Sequence, residues 1–362
     1  MARNNYKTAT FTLPNGKRKY VTAKTQEELE EKVFTLKLQM RMGVDLSDQT
    51  TVGELAQLWY SLEKSGKVKE ATAYNWQRIL NVKILPFLKN HRVRDVTPAM
   101  IQNVLSQFPD KSLIDNRRQL NALRGMFALA VENGMIAKSP VLPRFKAVGR
   151  ETVGHNALTP EQAEQLLNAL KDTRSYLFVW TGLKTGLRRG ELLGLRWDAV
   201  DFKNAVIHVH RNLVIMPQET CLYDNLKTDT SCRDVPVPLD LLTALHREKE
   251  RTSSLFVFHR GDGTHFDYAS FKNLWKLVTR RCGPVQPANG RCDFVLTAEK
   301  VTPHVLRHTY ATRCFEAGMD IKEVQHLLGH ADPTVTLKIY THYCEQSRQE
   351  ATFSNARTAM QR

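Results

Sequence analysis

No stretch of this 362-residue chain approaches the roughly 20 consecutive apolar residues that a membrane span requires, and no signal-peptide h-region opens it. Those two absences make a soluble, intracellular protein the expectation. Cysteine is scarce too. The six present (Cys221, Cys232, Cys282, Cys292, Cys314, Cys344) are too few and too scattered for a disulfide framework, and none forms a Cys-x-x-Cys pair. Cys282 and Cys292 flank a loop with Gly283, Pro284, Pro287 and Gly290. A zinc loop there would need a matching second pair, which is missing, so reduced thiols are the plainer reading. Acidic residues are the third shortage. None precedes Glu27, and 52 Lys and Arg against 37 Asp and Glu leave a net charge of +15. Such an excess favours a polyanionic partner. It is uneven: +3 over residues 1–50, +7 over 51–145 and +5 over 146–362, so the first 145 residues hold two thirds of it.

What is present divides into three parts. Residues 1–46 read as a small α+β unit. Two β-rich segments, 6–13 and 18–23, flank Asn15-Gly16, a strong hairpin-turn dipeptide, and 26–42 carries Leu29, Val33, Leu36 and Met40 at helical spacing. Lys7, Lys17, Arg18, Lys19 and Lys24 crowd the hairpin, and a short basic sheet backed by one helix can insert into a DNA groove. Residues 51–145 form an all-helical domain, opened by the capping box Thr51-x-x-Glu54. Its clearest helix, 115–133, puts Leu120, Leu123, Phe127, Ala130 and Val131 on one face and Arg117, Asn121 and Arg124 on another. Those three are either a solvated face or a set that reads bases and holds phosphates. Trp76, Leu80, Ile84, Ile101, Val104 and Leu105 read as core. Pro140, Pro143, Gly149 and Gly154 mark a basic linker, and Thr159-Pro160-Glu161-Gln162 opens the last domain, 155–362.

That domain holds the residues with chemistry in them. Thr185-Gly186-Leu187-Arg188 turns into a short helix, with Glu191 placed to hold a guanidinium by a bidentate pair. A strand-rich stretch follows, with Ala205–Val214 alternating as one strand and Leu222–Lys227 and Asp234–Pro238 after it. Lys227 at a hairpin tip can reach a groove, donate a proton or simply be solvated. His208 and His210 share a strand face like metal ligands, but cross-strand packing is the better reading. Thr302-Pro303 opens a helix with His304 and Arg307 one turn apart, Gly329 ends the helix 321–328 just before His330, and Tyr340 stands ten residues beyond His330. Two arginines, two histidines and a tyrosine in this order can cleave a DNA phosphodiester without a metal: the arginines grip the anionic phosphorane and the tyrosine attacks phosphorus.

On the segments TGLRRGELLGLRW (185–197), KTDTSCRDVPV (227–237), TPHVLRHTYAT (302–312) and LLGHADPTVTLKIYTH (327–342), the chain resembles the tyrosine recombinases, integrase type, of bacteriophages and conjugative transposons. The resemblance implies a multidomain fold. An α+β arm-binding unit (1–46) and an all-α core-site-binding domain (51–145) would precede a mixed α/β, mainly α, catalytic domain (155–362). It implies Tyr340 as the nucleophile forming a 3′-phosphotyrosyl link, and Arg188 and Arg307 clamping the phosphate. Lys227 would protonate the leaving 5′-oxygen, His304 would aid proton transfer, His330 would donate a further hydrogen bond, and Glu191 would orient the site. Tyr343 lies one turn from Tyr340, but the spacing from His330 and the following Thr341-His342 favour Tyr340. No metal or other cofactor is implied. The partners implied are double-stranded DNA at core and arm sites, a tetramer of the chain on DNA, a host DNA-bending protein and an excision factor, in the bacterial cytoplasm at the nucleoid. A dimer-resolving recombinase of the same chemistry and a catalytically silent DNA-binding regulator are the competing readings.

Overall fold

The computed structural model describes residues 6–12, 18–45, 48–151, 157–224, 232–282, 301–341 and 343–345. The expected turn at Asn15-Gly16, Lys17, Lys227, the Cys282–Cys292 loop and the tail beyond 345 lie outside the described residues. The chain divides once, into the units Met1–Val153 and Gly154–Arg362.

In the first unit, β1 (Lys7–Thr12) and β2 (Arg18–Ala23) pair antiparallel, from Lys7 opposite Ala23 to Thr12 opposite Arg18. Helix α1 (Gln26–Arg41) starts where the Thr25 hydroxyl accepts the Glu28 N–H, and it buries Leu29 against Val21 and Ala23. Its far end reaches the helical part. Val44 packs with Leu36, Met40 and Ala137, and the Asp45 N–H donates to the Gly134 carbonyl at 3.0 Å. Gly134 has φ +67°, and a Cβ there would lie 2.8 Å from the Gly43 carbonyl oxygen, so both the backbone angle and the space require glycine.

The helical part begins with α2 (Val52–Glu63), whose capping box forms as expected: Glu54 N–H to Thr51 Oγ1 and Thr51 N–H to Glu54 Oε2. The single helix expected over 69–85 is α3 (Glu70–Ile79), a widened π turn (Leu80–Ile84) and α4 (Leu85–Leu88). Pro86 has no N–H to return to the preceding turn, and the π turn absorbs that missing bond. Helices α5 (Pro98–Ser106) and α6 (Leu113–Glu132) complete a core around Leu55, Trp59, Ile84, Ile101, Leu123, Met126 and Phe127. The π turn faces α6 through a buried polar knot. Lys83 Nζ meets Asp115 Oδ2 at 2.8 Å and Asn116 Oδ1 at 2.7 Å, and Gln119 Nε2 donates to the Lys83 carbonyl at 3.1 Å.

The second unit opens with α7 (Pro160–Leu170), capped by Thr159 and Gln162 as expected, and α8 (Ser175–Thr185), which is buried along most of its length. Then come the short α9 (Arg189–Leu193) and five strands: β3 (Val200–Asp201), β4 (Val206–Val209), β5 (Arg211–Ile215), β6 (Thr220–Asp224) and β7 (Arg233–Pro236). The run 205–214, expected as one strand, breaks at His210. β4 joins β3 and β7 in one antiparallel sheet, while β5 pairs with β6 in another. His210 turns its ring back, Nδ1 lying 2.9 Å from the His208 carbonyl oxygen, and this contact sits at the break. Helices α10 (Leu239–Arg251), α11 (Tyr268–Cys282), α12 (Pro303–Glu316) and α13 (Ile321–Leu328) follow, then α14 over 333–341. The core joins α8, α10 and α12 to the inner face of β4 and β7, through Phe178, Leu192, Ile207, Val235, Leu241 and Leu306. The protein is mostly helical with small sheets. No helix among the described residues is long and apolar enough to cross a membrane.

Candidate functional site

Helix α8 stops at Gly186, which takes a left-handed φ of +61°. A Cβ there would sit 2.3 Å from the Tyr310 ring, so the chain turns tightly beneath α12 only as glycine. Arg188 then adopts an extended conformation at the start of α9, and Glu191 folds back beneath it. The Glu191 carboxylate is saturated. It accepts the Arg188 N–H at 2.8 Å, Arg188 Nη1 at 2.6 Å, and the fork of Arg233 at 3.0 and 2.8 Å. The Glu191 and Arg233 side chains are only 2% and 0% exposed.

Three guanidiniums converge on the end of α13. Arg233 Nε donates to the Leu327 carbonyl at 2.6 Å, Arg307 Nη2 to the Leu328 carbonyl, and Arg188 Nη2 to the Gly329 carbonyl. These are orphan acceptors at the negative end of a helix, where cations are favoured. Arg307 also donates from Nη1 to the Gly186 carbonyl at 2.8 Å, tying the α8 turn to the α13 turn. Gly329 closes α13 with φ +64°. His330 follows, its Nδ1 2.8 Å from Thr336 Oγ1 and its carbonyl accepting Gln325 Nε2 at 3.0 Å.

Arg188, Arg233, Arg307 and Glu191 together carry a net charge of +2. Burial alone would raise the Glu191 carboxyl, but the Arg233 hydrogen bond and the Arg233 and Arg188 charges outweigh it and hold the group down at about 2. Burial and the neighbouring Arg188 push the Arg307 guanidinium down to about 9. Burial, then Arg307, Arg188 and Arg233, push the His330 imidazole down to about 4. At neutral pH His330 is therefore uncharged, with one ring N–H. A Thr336 hydroxyl donating to Nδ1 leaves that N–H on Nε2. A cluster of this kind suits an incoming oxyanion, which would relieve the mutual repulsion of the guanidiniums. A cavity of about 800 Å³ opens at the opposite end of α8, beside Ser175 and Phe178, and Arg188, Glu191, Arg233, Arg307 and His330 do not line it.

Of the residues the sequence singles out, Arg188, Glu191, Arg307 and His330 are brought together. His304 lies on the first turn of α12 and is exposed, whereas Arg307, one turn on, is buried at 5%. Tyr340, on α14, packs edge-on against Phe315 of α12 with ring centroids 5.2 Å apart. Tyr343 stacks on the same ring at 6.2 Å. Both tyrosines border the small apolar cluster that contains Leu328, whose carbonyl Arg307 holds. In the first unit, Arg18 is exposed at the start of β2 and Lys19 pairs with Phe11 in the backbone register. Arg117, Asn121 and Arg124 are exposed along α6, and Arg124 Nη2 donates to the Phe145 carbonyl at 3.1 Å. His208 meets Asp234, its cross-strand partner, at 2.7 Å, the packing that the sequence favoured over a metal pair.

Arg233 is the residue the sequence reading missed. A signal existed: in β7 it alternates with Asp234 on the inward side shared with Val235, and a buried arginine there demands a carboxylate.

Residues 156–347 match the model of the phage integrase family, and residues 51–108 that of the phage integrase N-terminal SAM-like domain. A tyrosine recombinase XerC-like protein of Caldanaerobacter subterraneus subsp. tengcongensis is 27% identical over 93% of this chain and 91% of its own. The transposase from transposon Tn916 of Enterococcus faecalis is 26% identical over 98% of this chain and 86% of its own. The fold is shared with the Tn1549 transposon integrase in complex with transposon right end DNA (TM-score 0.67, 23% identity, 83% of this chain and 100% of that one). It is shared also with a lambda integrase tetramer bound to a Holliday junction (TM-score 0.61, 17% identity, 92% and 97%).

Proposed function

The chain belongs to the phage integrase family, and on that premise we propose that it is a tyrosine-type site-specific DNA recombinase that integrates and excises a mobile element. The observation that carries the reading is the convergence of Arg188 and Arg307, from distant helices, on adjacent carbonyls of one turn beside neutral His330. Among the described residues each arginine side chain spends two of its five N–H bonds, and the others are suited to the non-bridging oxygens of a phosphate. Charge grows on those oxygens in the phosphorane, so fixed donors stabilise the transition state more than the ground state.

In the proposed reaction the Tyr340 hydroxyl attacks phosphorus and the bond to the 5′-oxygen breaks. The 5′-oxygen leaves with a proton from Lys227, and a 3′-phosphotyrosyl link remains. His304, exposed on the first turn of α12, takes the proton from the tyrosine, and His330 donates from Nε2. The covalent link conserves the bond energy, so a 5′-hydroxyl from a second duplex reseals the strand through a Holliday junction. Two duplexes each cut twice need four protomers, so a tetramer forms on DNA. A host DNA-bending protein and an excision factor would set its direction. The hairpin-and-helix module 1–46 serves as arm-site reader, with Lys17, Arg18 and Lys19, and the helical part 51–145 as core-site reader, with Arg117, Asn121 and Arg124. The N-terminal module favours this reading over a dimer-resolving recombinase, which has no need of a second DNA-binding mode.

The test uses DNA carrying candidate element ends with a nick near the cleavage point. The wild type should leave a covalent adduct on the Tyr340 peptide, retained in Tyr343→Phe and abolished in Tyr340→Phe. An adduct that survives Tyr340→Phe moves the nucleophile. DNA that is bound without any adduct overturns the enzyme in favour of a DNA-binding regulator.

A further inference from the structure

Arg233 has no place in the reaction as written, yet its side chain is fully enclosed. Its side chain is fully buried in the lee of β7, so it does not meet DNA. Burying an ion pair gives little net stability, and an aliphatic residue would serve the inner face of β7 as Val235 does. What the pair supplies is geometry. Both oxygens of Glu191 are loaded by the Arg233 fork on one side and by the Arg188 N–H and Nη1 on the other. A carboxylate held at all of its lone-pair sites cannot rotate, and the Arg188 guanidinium cannot rotate against it. The same Arg233 grips the Leu327 carbonyl through Nε, and its Nη1 lies against Gly329: a Cβ on that glycine would be 2.8 Å away. Only a planar fork spans a carboxylate and a helix-end carbonyl at once, which lysine cannot do.

We propose that Arg233 is a positioning residue for the reaction: by bridging Glu191 and the end of α13 it presets Arg188 and the turn that carries His330 before the phosphate arrives. This rests on the phosphate-binding reading of Arg188 and Arg307 given above. Arg233 acts through Glu191 and Leu327, and its buried side chain does not reach the substrate.

The experiment uses the full-length chain and the nicked DNA, with three readouts: DNA affinity, the single-turnover rate of adduct formation at saturating protein, and the thermal midpoint. In Arg233→Met, affinity should stay within about threefold of wild type. The cleavage rate should fall by about 100-fold, the scale expected for misplaced reacting groups. Arg233→Lys, which can still meet Glu191, should recover part of that loss. Glu191→Gln should slow cleavage too, and the double variant Arg233→Met/Glu191→Gln should be no slower than the slower single, because one route carries both effects. A purely structural arginine gives a different pattern: a lowered midpoint with a normal rate for the folded fraction, or losses that add in the double variant. Either result overturns the proposal. Should Arg233→Met fail to fold, Arg233→Lys decides alone: slowed cleavage with intact binding supports positioning, and a wild-type rate overturns it. No adduct from the wild type overturns the recombinase reading and this proposal with it. Equal adduct rates in wild type and Arg233→Met overturn this proposal alone.

Discussion

Glu191 and His330 share one cluster of guanidiniums, are both shifted down, and end in opposite states of ionisation. The carboxyl is held down at about 2 and stays charged, while the imidazole is held down at about 4 and stays neutral. The imidazole leaves a signature in stability. An unfolded histidine titrates near 6.5, so between about pH 6.5 and 4 the unfolded chain binds a proton that the folded chain refuses. Stability at His330 therefore falls as pH is lowered through that window and levels off below it. Thermal midpoints from pH 7 to pH 4 should show the decline in the wild type and a shallower one in His330→Gln; parallel profiles would refute it. The sequence made Arg188, Arg307 and His330 legible because each sits within a few residues of a glycine, a helix start or a companion that fixes its spacing. Arg233 was hidden because its partners lie 42 and 94 positions away, and local alternation does not report distant carboxylates. Lys227 remains an inference from the sequence alone.

Elements were most legible where their ends carry their own signals. The boxes at Thr51 and Thr159 and the glycine at 329 form the caps their spacing implies. Two elements departed. The alternating run 205–214 satisfies the period of a strand throughout, so only the tertiary pairing of β4 with β7 and β5 with β6 reveals its division. The helix 69–85 keeps its apolar face across the π turn, because that turn is set by Pro86 and by Lys83 reaching inward to α6. That knot holds α6 in register with its exposed Arg117, Asn121 and Arg124. Lys83→Met leaves Asp115 with Arg78 alone and strands the Asn116 carbonyl, which should destabilise the chain by about 3 kcal/mol in urea unfolding. Arg117→Gln should leave stability unchanged while weakening DNA binding and lowering its salt slope by about one. If Lys83→Met is neutral, the knot is not what places α6; if Arg117→Gln binds like wild type, that face is merely solvated.

At the scale of the whole molecule, charge is the feature the sequence states outright: a net +15 with two thirds of it in the first 145 residues. If the protein neutralises on the order of six to ten phosphates, its affinity for duplex DNA should drop by roughly 10³-fold or more between about 50 and 200 mM salt. Affinity that stays flat over that range, followed by fluorescence anisotropy, would count against the basic surfaces as the binding face. The three grips on α13 carry a further consequence at this scale. A helix end held at Leu327, Leu328 and Gly329 is a keystone, with β7, α12 and the α8–α9 turn as the stones leaning on it. The same α13 sends Val324 and Leu328 into the apolar bed on which Tyr340 rests. Sliding that one short helix would release three cations and unsettle the tyrosine together, so this centre disassembles as a unit rather than by degrees.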